Sequence, residues 1–322
     1  MLSLPDFIAK QVVLVFSKKE YKLSIRNSNF LLKDEDEEVI LQQSCYKVFS
    51  IWIVGSCQLS SGILQESKKF GISIFMFSYG FKLYGCWNNQ AEGNFLLRRK
   101  QYLSLNTYYQ ASKIIENKIG SQLYMLKKKR NKNLYEKEAI KQLKSCVAHI
   151  AECNSEKSLL GIEGSASKVY FNSLFFEKDW KGRKPRSKMD TTNTLMDMGY
   201  STLFNLIESF LNLYGFDTYQ GVFHTCFYQR KSLVCDLVEP FRPIVDQAIL
   251  KGYNLGQINE EHFQIRKGQT HINPKHLKHY SGMFLKALLE NKEEMFLYVQ
   301  GYYRFVISNG DKREFPVFVF KE

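Results

Sequence analysis

Up to about residue 90 the chain runs in short apolar bursts broken by polar or glycine-bearing turns. Gln11 to Phe16, Tyr21 to Arg26, Val48 to Val54 and Ile72 to Phe77 are rich in β-branched and aromatic residues, the make-up of strands packed into a sheet. One helix interrupts them. It opens after Ser60 or Ser61, whose hydroxyl suits an N-cap, and closes at Gly71, which suits the left-handed position after a helix. The acidic run Asp34 to Glu38 reads as a solvated turn.

Beyond Gly93 glycine becomes sparse, and apolar residues recur three and four apart through long segments, the spacing of helices. The clearest stripe is Leu195, Met198, Leu203, Leu206, Phe210 and Leu213, on a helix that starts near Thr191 or Thr192 and stops at Gly215. These residues are core. The change of texture at Ala91 to Asn94 predicts an α+β chain in two parts: a β-rich N-terminal domain over 1–92 and an all-helical domain over 93–322. No low-complexity linker or internal repeat separates them.

Charge sharpens this picture. The 322 residues carry 45 Lys and Arg against 32 Asp and Glu, a formal net charge of +13, which favours a polyanionic partner. The seven cysteines are scattered with no CxxC pair, so neither a disulfide framework nor a thiolate zinc site is expected, and a reduced cytoplasmic setting fits. No apolar run approaches the roughly 18 residues that span a bilayer, and no basic segment precedes the first apolar run, so a soluble protein without a membrane is expected. No GxSxG, P-loop or dinucleotide fingerprint is present.

Three features of the helical part carry residues suited to a hard divalent cation. In Gly161-Ile-Glu163-Gly-Ser-Ala-Ser-Lys-Val-Tyr170 a carboxylate is followed by small residues that let another backbone or a DNA strand approach; taken alone, the segment reads first as a helix start with Glu163 at the positive end of the dipole. His224 stands alone among apolar neighbours in Gly221-Val-Phe-His-Thr225, where it serves either as a core histidine or as a ligand. In Cys235-Asp236-Leu-Val-Glu239-Pro-Phe-Arg242-Pro243 two carboxylates lie three apart, on one face if helical, and Pro240 restricts them to a helix start. Leaving both unpaired in apolar sequence is costly; a cation removes that cost, and Arg242 removes part of it. Two carboxylates and an imidazole on one ion suit Mg²⁺ or Mn²⁺, which polarise a phosphodiester and activate a hydroxyl. Between these features Lys181, Arg183, Lys184, Arg186 and Lys188 put five positive charges into eight residues, a candidate phosphate clamp. A second basic run, Lys127 to Arg130 with Lys132, extends that track or ends a helix, while His271, His276 and His279 lack the partners of a zinc site.

From Gly161 to Pro243 the chain closely resembles the integrase of CRISPR spacer acquisition, the Cas-one family. The resemblance lies in the Glu-Gly-small-small segment ending in Tyr170, Gly182-Arg183 with Asp190-x-x-Asn193 and Gly199-Tyr200, the Gly-x-x-His turn, and Asp-Leu-x-Glu-Pro-Phe-Arg-Pro. The Gly71-Ile-Ser-Ile-Phe segment, Gly80, Arg98, Arg99 and Gln101 extend it, and it weakens only after about residue 255. The sequence departs from the family at Thr191, where a proline is common, and in the turn before His224.

What the resemblance implies is a β-rich dimerising domain, a helical catalytic domain, and a metal held by Glu163, His224 and Glu239, with Asp236 in support and Arg242 joining the basic loop on DNA. The expected activity belongs to antiviral defense: a divalent-metal-dependent DNA endonuclease and integrase joining prespacer 3′-hydroxyls into the CRISPR repeat by transesterification, or hydrolysing with water. The expected partners are double-stranded DNA, a second copy of the chain in a homodimer, and the small Cas-two protein. A non-catalytic DNA-binding scaffold and a stand-alone branched-DNA nuclease of repair are the alternatives.

Overall fold

In the computed structural model, which describes residues 4–17, 21–79, 82–87, 94–104, 107–175, 180, 182–224, 226–312 and 315–320, Gln11–Phe16, Tyr21–Arg26, Val48–Val54 and Ser73–Phe77 are strands where short β-branched runs were expected, and Asn29–Lys33, Val39–Ser44, Cys57–Leu59 and Leu83–Trp87 are strands that the sequence reading did not include. The chain divides into two compact units: Met1–Asn94 with Ser209–Phe216 and Pro274–Lys278, and Phe95–Glu208 with Asp217–Asn273 and His279–Glu322.

The first unit opens with α1 (Leu4–Ile8), followed by β1 (Gln11–Phe16), β2 (Tyr21–Arg26), β3 (Asn29–Lys33), β4 (Val39–Ser44), β5 (Val48–Val54), β6 (Cys57–Leu59), α2 (Ser61–Phe70), β7 (Ser73–Phe77) and β8 (Leu83–Trp87). The strands form two four-stranded sheets, ordered β1-β5-β7-β8 and β4-β3-β2-β6. In the first, β1, β5 and β7 run parallel and β8 antiparallel. All seven residues of β5 are buried, which explains its near-continuous apolar sequence: a strand covered on both faces has no polar side to show. Val15, Ile51, Ile53 and Ile74 share one core with Leu23 and Phe30 of the other sheet and Ile63 of α2. Helix α2 begins behind Ser60 and ends at Gly71, whose φ of 73° lies in the left-handed region open to glycine. Within the acidic run, Asp34 accepts from the backbone of Asp36 and Glu38, while Glu37 pairs with Lys22 and Lys33.

The second unit contains α3 (Phe95–Tyr102), α4 (Thr107–Lys128), α5 (Leu134–Ile150), α6 (Glu156–Leu174), α7 (Thr191–Tyr214, whose last turns belong to the first unit), α8 (Ser232–Leu237), α9 (Arg242–Asn254), β9 (Phe263–Arg266), β10 (Gln269–Ile272), α10 (Leu277–Leu289) and α11 (Lys292–Ile307). Capping boxes at Asn133 and Ser155 start α5 and α6. Helix α4 packs against α5, α6 and α9. Helix α7 spans the predicted segment and is followed by Gly215 at φ 82°. It is buried around most of its circumference, so the predicted stripe is only part of its buried surface. Gly199 explains how neighbours come so close: a Cβ there would lie 2.4 Å from Val245 of α9 and 2.9 Å from Phe284 of α10.

Two details differ from the sequence reading. Strands β9 and β10 form a hairpin inside the helical part, turning through Lys267 and Gly268, both at positive φ. Glu163 is not at a helix start; it lies about two turns into α6, so the dipole does not account for it. Among the described residues no helix is long and apolar enough to cross a membrane.

Candidate metal centre

Three elements distant in sequence bring their charges to one point in the second unit. Lys118 of α4 donates to Glu163 Oε1 of α6, and its Nζ lies 2.6 Å from Glu239 Oε2. Glu239 begins a 3₁₀ turn, Glu239–Phe241, between α8 and α9, where Pro240 and Pro243 occupy early helical positions that need no N–H donor. Ser167, one turn after Glu163, donates to the same Oε1 at 3.0 Å. Arg242 places Nη2 2.9 Å from Glu239 Oε1. The side chains of Lys118 and Glu239 are only 9% and 4% exposed, so these charges depend on one another for solvation. Burial works to raise the Glu239 carboxyl, but Arg242, Lys118 and His224 outweigh it and hold it at about 2.

His224 is fixed by Asp236, which is fully buried. Asp236 Oδ2 accepts from the backbone N–H of Val222 at 2.6 Å and Phe223 at 3.2 Å. Its Oδ1 accepts from the N–H of His224 at 2.8 Å and meets the ring Nδ1 at 2.7 Å. A carboxylate accepts, so Nδ1 carries a proton toward Asp236, and Nε2 is the ring nitrogen whose lone pair can serve a metal. Gly221 is required for this wrap: a Cβ there would sit 2.7 Å from Asp236 Oδ2 and 2.9 Å from the Ser232 carbonyl carbon. Upstream, buried Gln101 of α3 holds the same loop through the carbonyls of Asp217 and Gln220 and the N–H of Asp217.

Asp236 and Glu239 therefore do not act as the same-face pair their spacing suggested. The helix breaks between them, turning Asp236 to the His224 loop and Glu239 to Lys118. With both oxygens of Asp236 filled by N–H donors, its carboxylate orients the histidine. The Oε2 of Glu239 is in the opposite condition. Lys118 approaches it closely but without hydrogen-bond alignment, leaving a buried acceptor held by charge alone. Two carboxylates, one with an orphaned oxygen, together with an imidazole nitrogen suit a hard divalent ion such as Mg²⁺ or Mn²⁺. Among the described residues the acids and histidines are not closed into a ready-made cage, and the ammonium of Lys118 stands between the two acids.

A cleft of about 460 Å³ opens over this point, lined by Lys118, Glu163, Lys168, Arg183, Tyr200 and Arg242 among others. Gly161 and Gly164 on the exposed side of α6 face open space. The basic loop divides in role. Lys184 and Arg186 are exposed and Lys188 half-buried, whereas Arg183 turns inward to Asp197 at 2.6 Å and Asn193 at 3.1 Å. Arg183 and Arg242 both lie over the Tyr200 ring, 5.3 and 4.9 Å from its centroid. Lys181 falls outside the described residues. Behind the cleft, Tyr200 and Tyr170 donate to Asp246 at 2.5 and 3.1 Å. Burial pushes the Asp246 carboxyl up to about 6 against the pull of those hydroxyls and of Arg242 and Arg183.

Sequence reasoning passed over Lys118, Lys168 and Asp246. Lys118 left a trace: it lies three and four residues beyond Ile115 and Ile114, a charge on the buried stripe of α4.

The family model described as CRISPR associated protein Cas1 matches residues 14–286. A CRISPR-associated endonuclease Cas1 of Thermodesulfovibrio yellowstonii is 28% identical over 277 residues, covering 80% of this chain and 86% of that relative. The fold is shared with a CAS1 protein from Thermotoga maritima (TM-score 0.77, 21% identity, 97% of this chain and 100% of that one). It is shared also with a casposase bound to integration product (TM-score 0.75, 20% identity, 97% and 96%). A chain of a Cas6-RT-Cas1–Cas2 complex matches with TM-score 0.80 and 18% identity over 97% of this chain, which spans 36% of that larger one. With its match covering most of its length, this chain belongs to the CRISPR associated protein Cas1 family.

Proposed function

We propose that this protein is a divalent-metal-dependent DNA integrase of CRISPR adaptation, joining prespacer 3′-hydroxyl ends to the repeat by transesterification. The observation that carries the reading is the meeting of Glu163 and Glu239 at Lys118 under a basic cleft, with the His224 ring oriented by Asp236 and within electrostatic reach of Glu239. Glu163, Glu239 and the Nε2 of His224 would hold Mg²⁺ or Mn²⁺, which when bound supplies Lewis-acid polarisation of the phosphodiester and a more nucleophilic hydroxyl.

The chain's own residues do the rest. Asp236 keeps the His224 lone pair outward. Arg242 neutralises one oxygen of Glu239. Lys168, Lys184, Arg186 and Lys188 offer positive charge to the DNA backbone, while Arg183 and Arg242 shape the cleft wall around Tyr200. Because one phosphodiester replaces another, no nucleotide cofactor is required. With water as the nucleophile the same groups serve an endonuclease, the activity named for the Thermodesulfovibrio relative. Among proteins sharing the fold, a casposase is bound to integration product and another chain belongs to a complex with Cas2, which supports joining of DNA and a Cas2 partner. In this reading the β-rich unit forms a homodimer.

The test is joining of a labelled short duplex into a plasmid bearing a repeat, with Mg²⁺ or Mn²⁺. Native protein is expected to join strands, whereas His224→Ala and Glu239→Ala bind DNA without joining. Equal behaviour of all three would leave a non-catalytic DNA-binding scaffold as the better account.

A further inference from the structure

We propose that Lys118 is a resident counter-cation that holds Glu163 and Glu239 together until a divalent ion displaces its ammonium into the DNA cleft. The inference rests on the metal reading above and concerns how the site is kept before it is filled. Glu163 and Glu239 contribute two negative charges, and Lys118 and Arg242 balance them. Without Lys118, Glu163 would keep only the Ser167 hydroxyl and Glu239 only Arg242, leaving two facing carboxylates with one cation between them, at a cost that would drive them apart or protonate one. With it, the acids stay in register, but the ammonium occupies the space between them. Two cations cannot both lie there, so filling the site requires Lys118 to leave.

The geometry gives it somewhere to go. Lysine carries a compact charge on a flexible four-carbon stem, unlike the planar fork of arginine. The backbone beneath it is fixed: the neighbouring Asn117 side chain donates to the Phe318 carbonyl at 2.9 Å and accepts from its N–H at 2.8 Å. The ring of Phe318 in turn packs edge-on against Phe241 of the Glu239 turn, with centroids 4.7 Å apart. Displacement is therefore a side-chain swing. Lys118 also lines the 460 Å³ cleft, where the freed ammonium would face a phosphate. Filling the metal site would thus raise the positive charge offered to DNA, and bound DNA would by linkage favour the filled state.

Two measurements test this in the full-length protein. The first is Mn²⁺ titration by electron paramagnetic resonance on native protein, Lys118→Met, Lys118→Arg and, as a control on the site, Glu239→Gln. Removing the competitor should tighten Mn²⁺ binding by about tenfold or more, since a close buried charge pair commonly exceeds one decade in free energy. A guanidinium fork that grips both acids should weaken it. The second needs no variant: amine-reactive labelling of native Lys118, read by mass spectrometry, should rise when Mn²⁺ binds. Unchanged or weaker Mn²⁺ binding in Lys118→Met, or constant Lys118 labelling while Mn²⁺ is bound, overturns the displacement and leaves the metal site standing. If native protein binds no Mn²⁺, or Glu239→Gln binds it as well as native, the metal reading fails and this proposal with it.

Discussion

Substituting Asn for Asp236 changes one oxygen to an amide nitrogen without altering shape, at a position where four donors converge on two acceptors. If the new amide faces Val222 and Phe223, two N–H groups lose their acceptor and meet a donor. If it faces His224, the backbone N–H is orphaned and Nδ1 can accept only by moving the ring proton to Nε2, which removes the lone pair a metal needs. Either orientation forfeits two hydrogen bonds to a charged group, at about 1.5–3 kcal/mol each, or about 3–6 kcal/mol. Amide hydrogen exchange reads this locally: protection at residues 222–224 should fall by about two to four orders of magnitude. Mn²⁺ affinity should fall about 10- to 100-fold, the usual effect of losing the partner that orients a metal-bound histidine. Native-like protection together with native Mn²⁺ affinity in Asp236→Asn would refute the claim that this carboxylate positions His224.

Asp246 makes a prediction about pH. Its carboxyl is raised from 3.8 to about 6, so the native state holds the proton more tightly than the unfolded chain; stability from this group is full below about pH 4 and falls by about 3 kcal/mol as pH rises through 6. Asp246→Asn should flatten urea-unfolding stability between pH 4 and 6, and an unchanged slope would place that titration elsewhere. Gly221→Ala forces a Cβ against Asp236 and the Ser232 backbone, so a thermal-shift assay should show a loss of about 1–3 kcal/mol along with a drop in joining; a variant with native stability and activity would show that the loop has room to adjust.

Much of this architecture is legible from local chemistry. The apolar run of β5, Gly71 at the end of α2 and Gly215 after α7 each follow from rules that act within a few residues, whereas α2 starts behind Ser60 without a capping hydrogen bond from its hydroxyl. The β9–β10 hairpin escaped because Lys267-Gly268 is a weak form of the Asn-Gly signal. Glu163, His224, Asp236 and Glu239 stand out in sequence as polar groups in apolar or small-residue surroundings, but which of them face each other depends on how α4, α6 and the 3₁₀ turn pack. That is why spacing alone paired Asp236 with Glu239, and why the loop read as a phosphate clamp includes Arg183 turned in to Asp197. A lysine on a buried helical stripe, as at Lys118, is the signal that most repays attention, since such a charge requires a partner nearby.

Glu163, His224 and Glu239 should together hold the ion that drives strand joining. The most direct test is the joining reaction with purified native, Glu163→Gln, His224→Ala and Glu239→Ala proteins, each checked for duplex binding in Ca²⁺ and then given Mn²⁺. All four proteins should bind DNA and only the native one should join it; joining at native rate by any one of the three variants would remove that residue from the metal site.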